Sequence, residues 1–144
     1  MRKLLALFTV CALLACGLPA AAPAEIEIPD LIKTGDWDYY LLEDGTACIW
    51  NYHGSDEELV IPEELDGIRV TELGRLAFLV RATTKSIVIP DGVRYIGEYA
   101  FAMCSALTDI RIPEGVKGIG TGAFQDCRKL EAMYFAPLPL APEV

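Results

Sequence analysis

Apolar and polar positions along the chain follow two periods in turn, and the pair of periods returns every 23 residues. Residues 87–109 read IVIPDGVRYIGEYAFAMCSALTD and residues 110–132 read IRIPEGVKGIGTGAFQDCRKLEA, with eleven identities in 23 positions. Each unit opens on alternation: Ile87 and Ile89 face one way and Val88 the other, and Ile110, Arg111 and Ile112 repeat the arrangement. This predicts a short strand ended by proline. From Val93 the apolar residues fall at 93, 96, 100, 101, 104 and 107, the spacing of one helix face, which predicts a short helical segment. Upstream, LVIPEELDGIRVTELGRLAF repeats the pattern with five extra residues between Pro62 and Val70. Those extras include Asp66-Gly67 and read as a surface turn. Downstream, Met133 and Phe135 occupy the strand positions once more and the pattern stops.

A unit of this size cannot bury its apolar face alone, so neighbours must stack strand beside strand at about 4.8 Å. The prediction is a short parallel solenoid with a laddered core. One unit contributes Ile89, Ile96, Gly97, Phe101, Cys104 and Leu107, and the next contributes Ile112, Ile119, Gly120, Phe124, Cys127 and Leu130. Gly74, Gly97 and Gly120 are expected where the chain turns sharply or backbones approach too closely for a Cβ. The array needs covers at its ends. DYYLLEDGTACIWNY predicts a hairpin about Asp44-Gly45 whose Trp37, Tyr39, Ile49, Trp50 and Tyr52 cover the first coil. At the other end, Pro137, Pro139 and Pro142 cannot continue a ladder.

These units resemble the BspA-type leucine-rich repeat family, whose unit runs roughly I-x-I-P-x-x-V-x-x-I-G-x-x-A-F-x-x-C-x-x-L. The match covers residues 59–136, and the YYLLEDGTACIWNYHGSDEELVIPEELDGIRV stretch is similar to the opening of such arrays. The fold class is therefore an α/β repeat solenoid, a short leucine-rich-repeat array with parallel strands on one side, short helical turns on the other and an N-terminal β-hairpin cap. The expected organisation is a signal peptide at 1–24, an N-terminal segment and hairpin cap at 25–58, repeats at 59–136 and a Pro-rich tail at 137–144. The resemblance implies a bacterial, surface-exposed or secreted module associated with adhesion, with no enzyme activity, cofactor or catalytic residues. The first unit departs from the pattern, with Arg81 in the cysteine slot and Thr84 in the leucine slot. The array also holds only about three units.

The start of the chain adds a destination. Arg2 and Lys3 precede an apolar run of 13 residues from Leu4 to Cys16, the build of a secretory signal. Ala22-Pro23-Ala24 fits cleavage before Glu25, while Leu13-Leu14-Ala15-Cys16 resembles a lipobox that would leave a lipid anchor on Cys16. From Glu25 onward ten basic residues face 21 acidic ones, a net charge of −11. This argues against nucleic acid and anionic lipid as partners.

The remaining chemistry is sparse. Cys48, Cys104 and Cys127 are too few for a disulfide framework and too far apart for a zinc site, so no metal is expected. Cys104 and Cys127 occupy equivalent positions and either pair or remain buried thiols. His53, the single histidine, lies in a polar turn with no triad pattern around it. The binding candidates are on the outward side of the strands: Val88, Arg111 and Tyr134 in one column beside Val60, and Asp109 two residues earlier, beside Glu58 and Ser86. A protein or glycan bound along this surface at the cell exterior is the leading expectation. The alternative is a structural subunit of the cell envelope that associates through its ends.

Overall fold

Backbone hydrogen bonds between successive coils organise the protein, which is described here over residues 29–135 of a computed structural model. The expected signal segment at 1–24, with Cys16, and the Pro-rich tail at 137–144 lie outside the described residues. The strands are β1 (Ile32–Thr34), β2 (Trp37–Leu41), β3 (Ala47–Tyr52), β4 (Glu58–Val60), β5 (Glu64–Leu65), β6 (Ile68–Leu73), β7 (Ser86–Val88), β8 (Tyr95–Ile96), β9 (Asp109–Ile112), β10 (Gly118–Ile119) and β11 (Ala132–Phe135).

Each coil runs through two sheets and a wall of turns. Strands β4, β7, β9 and β11 stack in parallel, with Leu59, Ile87, Ile110 and Met133 in register. After the proline corner the chain enters the second sheet, where β6, β8 and β10 align Leu73, Ile96 and Ile119. On its N-terminal side this sheet continues through β3, β2 and β1, the last two joined antiparallel. The hairpin is therefore part of the second sheet and closes that edge of the array. The five-residue insertion forms the β5–β6 hairpin, with Asp66 and Gly67 both at positive φ. The Asp66 carboxylate accepts hydrogen bonds from Tyr39 Oη at 2.8 Å and Thr34 Oγ1 at 2.9 Å, tying that turn to the cap.

The third wall corrects the sequence expectation of short helical turns: no helix is present among the described residues. The amides of Leu76, Phe78 and Val80 donate to the carbonyls of Glu98, Ala100 and Ala102 of the next coil. Those of Tyr99, Phe101 and Met103 donate in the same way to Thr121, Ala123 and Gln125. The intervening amides close four-residue turns within the coil, as Ala100 does to Gly97 and Ala102 to Tyr99. Left-handed residues recur with the repeat, at Leu76, Tyr99 and Gly122 and again at Val80, Met103 and Asp126. A helix of this length is marginal on its own, whereas the zigzag gives alternate amides a partner on the neighbouring coil. It still turns Ala100, Phe101, Cys104 and Leu107 inward, so the apolar spacing imitates a helix face.

The core is continuous from cap to array. Phe78, Phe101 and Phe124 stack with ring centroids 5.0 and 5.5 Å apart, and Trp37 and Tyr52 continue the column at 6.3 and 6.2 Å from Phe78. Trp50 lies against Tyr40 in an edge-to-face pair at 6.1 Å. The two residues that break the repeat in the first coil bind the cap. Arg81 Nη1 donates to the Gly54 carbonyl at 2.6 Å with its guanidinium over the Tyr52 ring, and Thr84 Oγ1, fully buried, donates to the Asp56 carbonyl at 2.8 Å.

Burial separates the two full units. Ile89, Ile96, Phe101, Cys104, Leu107 and Ile112 are at most 2 % exposed. In the last coil Ile119 is 42 % exposed, which corrects its assignment to the core, and Phe124, Cys127 and Leu130 are only half-buried. The reason is positional: each of the earlier residues has a coil on both sides, and among the described residues no coil follows the last.

The thiols carry a pH consequence. Cys48, Cys104 and Cys127 are free, and the Cys104 and Cys127 thiols donate to the carbonyls of Phe78 at 3.3 Å and Phe101 at 3.1 Å. Burial pushes Cys48 and Cys104 up from 9.0 to about 11. A thiol whose pKa is raised on folding contributes stability that is complete below the unfolded value and lost as pH rises through the folded one. The melting temperature should therefore fall between pH 9 and 11, and replacing both cysteines by alanine should flatten that fall. Cys48 and Cys104 should react with an aromatic disulfide reagent only after unfolding; fast labelling of the native protein would contradict this burial.

Candidate functional site

Strand parity builds the candidate site. In β4, β7 and β9 Leu59, Ile87, Ile110 and Ile112 are buried while the alternate positions face outward, and β11 continues the register at the exposed end of the sheet. Parallel pairing then lines up Val60, Val88, Arg111 and Tyr134 in one column and Glu58, Ser86, Asp109 and Ala132 in another. Val60 and Tyr134 are 67 % and 56 % exposed, Val88 is 37 % exposed, Asp109 is exposed, and Arg111 is half-buried. The four residues singled out in the sequence, Val88, Asp109, Arg111 and Tyr134, thus share one face of the first sheet. Three strand spacings give the column a length of about 14 Å.

The face is shaped as well as exposed. A shallow cavity of about 120 Å³ opens between the first coils, with Val60, Val88 and Arg111 on the strand side and Glu63, Pro90 and Asp91 on the corner side. Glu63 and Asp91 were not among the sequence candidates. Their signal was nonetheless present, since each repeat proline is followed by a carboxylate: Pro62-Glu63, Pro90-Asp91 and Pro113-Glu114. On the other border Lys85 pairs with Glu57 at 2.6 Å, which holds that carboxyl below its usual range. Both groups are exposed, so the pair contributes little to stability.

The glycine positions keep the coils close enough for these columns to form. A Cβ on Gly97 would fall 2.6 Å from the backbone N of Arg75, and one on Gly120 would fall 2.4 Å from the backbone N of Glu98.

Other candidate chemistry lies elsewhere. His53 sits in the cap with Nε2 2.8 Å from the buried Asp38 carboxylate. Among the described residues no group of three or more histidine, cysteine or acidic side chains is arranged to hold a metal. The described residues contain no helix, and so none long and apolar enough to cross a membrane.

Comparison with known proteins places this geometry among others. Residues 57–138 match a family model described as "BspA type Leucine rich repeat region (6 copies)". A leucine-rich cell surface protein of Faecalibacterium prausnitzii is 30 % identical, with a TM-score of 0.68, over 72 % of this chain and 30 % of its own. The leucine-rich repeat protein of T. pallidum is likewise 30 % identical, with a TM-score of 0.68, over 74 % of this chain and 50 % of its own. A leucine-rich repeat protein from Bacteroides capillosus shares the fold, at 22 % identity and a TM-score of 0.56, over 74 % of this chain and 99 % of its own. The chain thus spans half or less of the first two relatives. No curated protein matches the sequence.

Proposed function

Because the chain belongs to the BspA-type leucine-rich repeat family, we propose that it is a non-enzymatic recognition module that binds a protein partner outside the cell through the outer face of its first sheet. Proteins of this repeat family generally serve as protein-interaction modules. The observation that carries the reading here is the register-aligned column of Val60, Val88, Arg111 and Tyr134, in which apolar side chains and a guanidinium stand together on a rigid surface. Aromatic and arginine side chains of this kind supply much of the energy in protein interfaces. Export is supported by the sequence of residues 1–24. A native-host protein whose mass begins at Glu25 fits free secretion, and a lipid-bearing Cys16 instead fits retention at the membrane.

The test uses the chain from Glu25, immobilised and exposed to extracellular proteins of the native host. Arg111→Ala combined with Tyr134→Ala should reduce capture of the bound partner at least tenfold while the melting curve stays in place. Equal capture by the double variant would move the binding surface away from this sheet.

A further inference from the structure

The outer face of the first sheet is not electrically neutral, and its charges are arranged by the repeat. Glu63, Asp91 and Glu114 follow the corner prolines of successive coils, and the first two of them border the cavity beside Val60, Val88 and Arg111. On the opposite side of the column stand Glu58 and Asp109, outward and exposed. Val60 and Val88 thus have Glu63 and Asp91 on one side, with Arg69 beside that pair, while Glu58 and Asp109 flank the column on the other and Arg111 stands inside it. The Lys85–Glu57 pair at the strand entrance cancels itself.

We infer that this face binds an extended peptide segment that carries lysine or arginine side chains interleaved with apolar ones. This inference rests on the sheet-face reading above and names the class of partner for the same site. Charge complementarity selects it: carboxylates on both borders oppose an acidic partner, and the whole chain from Glu25 carries −11. An extended strand alternates its side chains. One set reaches the carboxylates while the other rests on Val60 and Val88. The column of about 14 Å takes four or five extended residues at about 3.3 Å each. The cavity between Val60, Val88 and Pro90 has room for one small aliphatic side chain. Steering by the borders gives the complex a strong salt dependence, since the screening length falls from about 14 Å at 0.05 M salt to about 6 Å at 0.3 M.

The test is fluorescence anisotropy of two labelled twelve-residue peptides, one alternating lysine with valine and one alternating glutamate with valine, titrated with the chain from Glu25. The lysine peptide should bind at 50 mM salt, weaken at least tenfold at 300 mM, and outbind the glutamate peptide at least tenfold. Glu63→Gln, Asp91→Asn and Glu114→Gln together should weaken the lysine peptide at least tenfold and flatten its salt response. Val60→Ser with Val88→Ser should weaken it with the salt response kept. Thermal melts establish that each surface variant is folded. Equal binding of the two peptides, no binding of either, or binding unaffected by the carboxylate variant would each overturn the cationic partner. If the carboxylate variant has no effect but the valine variant or Arg111→Ala with Tyr134→Ala abolishes capture of the native partner, the sheet face remains the site and only its partner class fails. If those variants also leave native capture intact, both readings fall.

Discussion

Phe101→Ala is expected to lower the unfolding free energy by about 3–5 kcal/mol, and Phe124→Ala, the same truncation one coil later, by less than half as much. The Phe101 ring is fully buried and stacked on both faces, with Phe78 at 5.0 Å and Phe124 at 5.5 Å. Its removal takes away the hydrophobic transfer term and also leaves a cavity between two coils that cannot collapse without pulling their hydrogen-bonded backbones together. Among the described residues Phe124 has a ring on one face only, and it is half-buried, so water fills much of the space its removal leaves. A domain of this size has about 5–15 kcal/mol in total. Phe101→Ala should therefore shift urea or thermal unfolding drastically and Phe124→Ala modestly. Equal shifts would mean that the ladder does not distribute stability coil by coil as a stacked repeat should.

Gly97→Ala is expected to be as damaging although it adds a single carbon. The new Cβ would lie 2.6 Å from the Arg75 nitrogen and the Gly74 carbonyl carbon, and 2.8 Å from the Gly74 oxygen. All three are backbone atoms of the preceding coil, so no side chain can swing aside to make room. The coils must separate at that corner, breaking the hydrogen bond that the Gly97 N–H donates to the Leu73 carbonyl at 2.7 Å. A cost of about 3 kcal/mol or more follows. Gly45→Ala is the informative control: its φ of +80° also disfavours alanine, but its Cβ would meet nothing within 4 Å, so only about 1 kcal/mol is expected. Circular dichroism melts of the two variants give the comparison. A Gly97→Ala protein as stable as Gly45→Ala would show that the coils have slack at this corner.

The sequence was most informative where a residue's environment repeats with the unit. Alternation in IVIP and IRIP specified the first sheet, its register and its outward column, because period 2 leaves a strand only one way to face the core. The cap hairpin was legible from Asp44-Gly45 and the insertion from Asp66-Gly67, since a left-handed turn has few residue types to choose from. The helical expectation went wrong for a definite reason. Spacing at 93, 96, 100, 101, 104 and 107 records which side chains face inward, and both a helix and a row of tight turns satisfy it. The left-handed positions that distinguish the two are held by Tyr99 and Met103, residues that announce no such conformation, and only Gly122 and Asp126 in the next unit hint at it. The second sheet was missed because two residues, as in Tyr95–Ile96, are too few to show alternation. The carboxylate border of the site escaped because an acidic residue after proline reads as an ordinary solvated corner until the coils are stacked and Glu63 and Asp91 come to border one cavity.

The turn wall also gives the array a direction. Its inter-coil amides all donate toward the C-terminal end, and at the opposite end the Tyr52 amide of the cap reaches the Ala77 carbonyl at 3.3 Å. In the last coil the slots that donate are held by Gly122, Phe124 and Asp126, the counterparts of Tyr99, Phe101 and Met103. The surface complementary to that end is a rank of carbonyls, which the leading edge of another coil presents. Two copies set face to face by a twofold axis would oppose like dipoles along this wall. Adding whole 23-residue modules therefore runs with the grain of the molecule, while mirror-fashion pairing of its C-terminal ends runs against it.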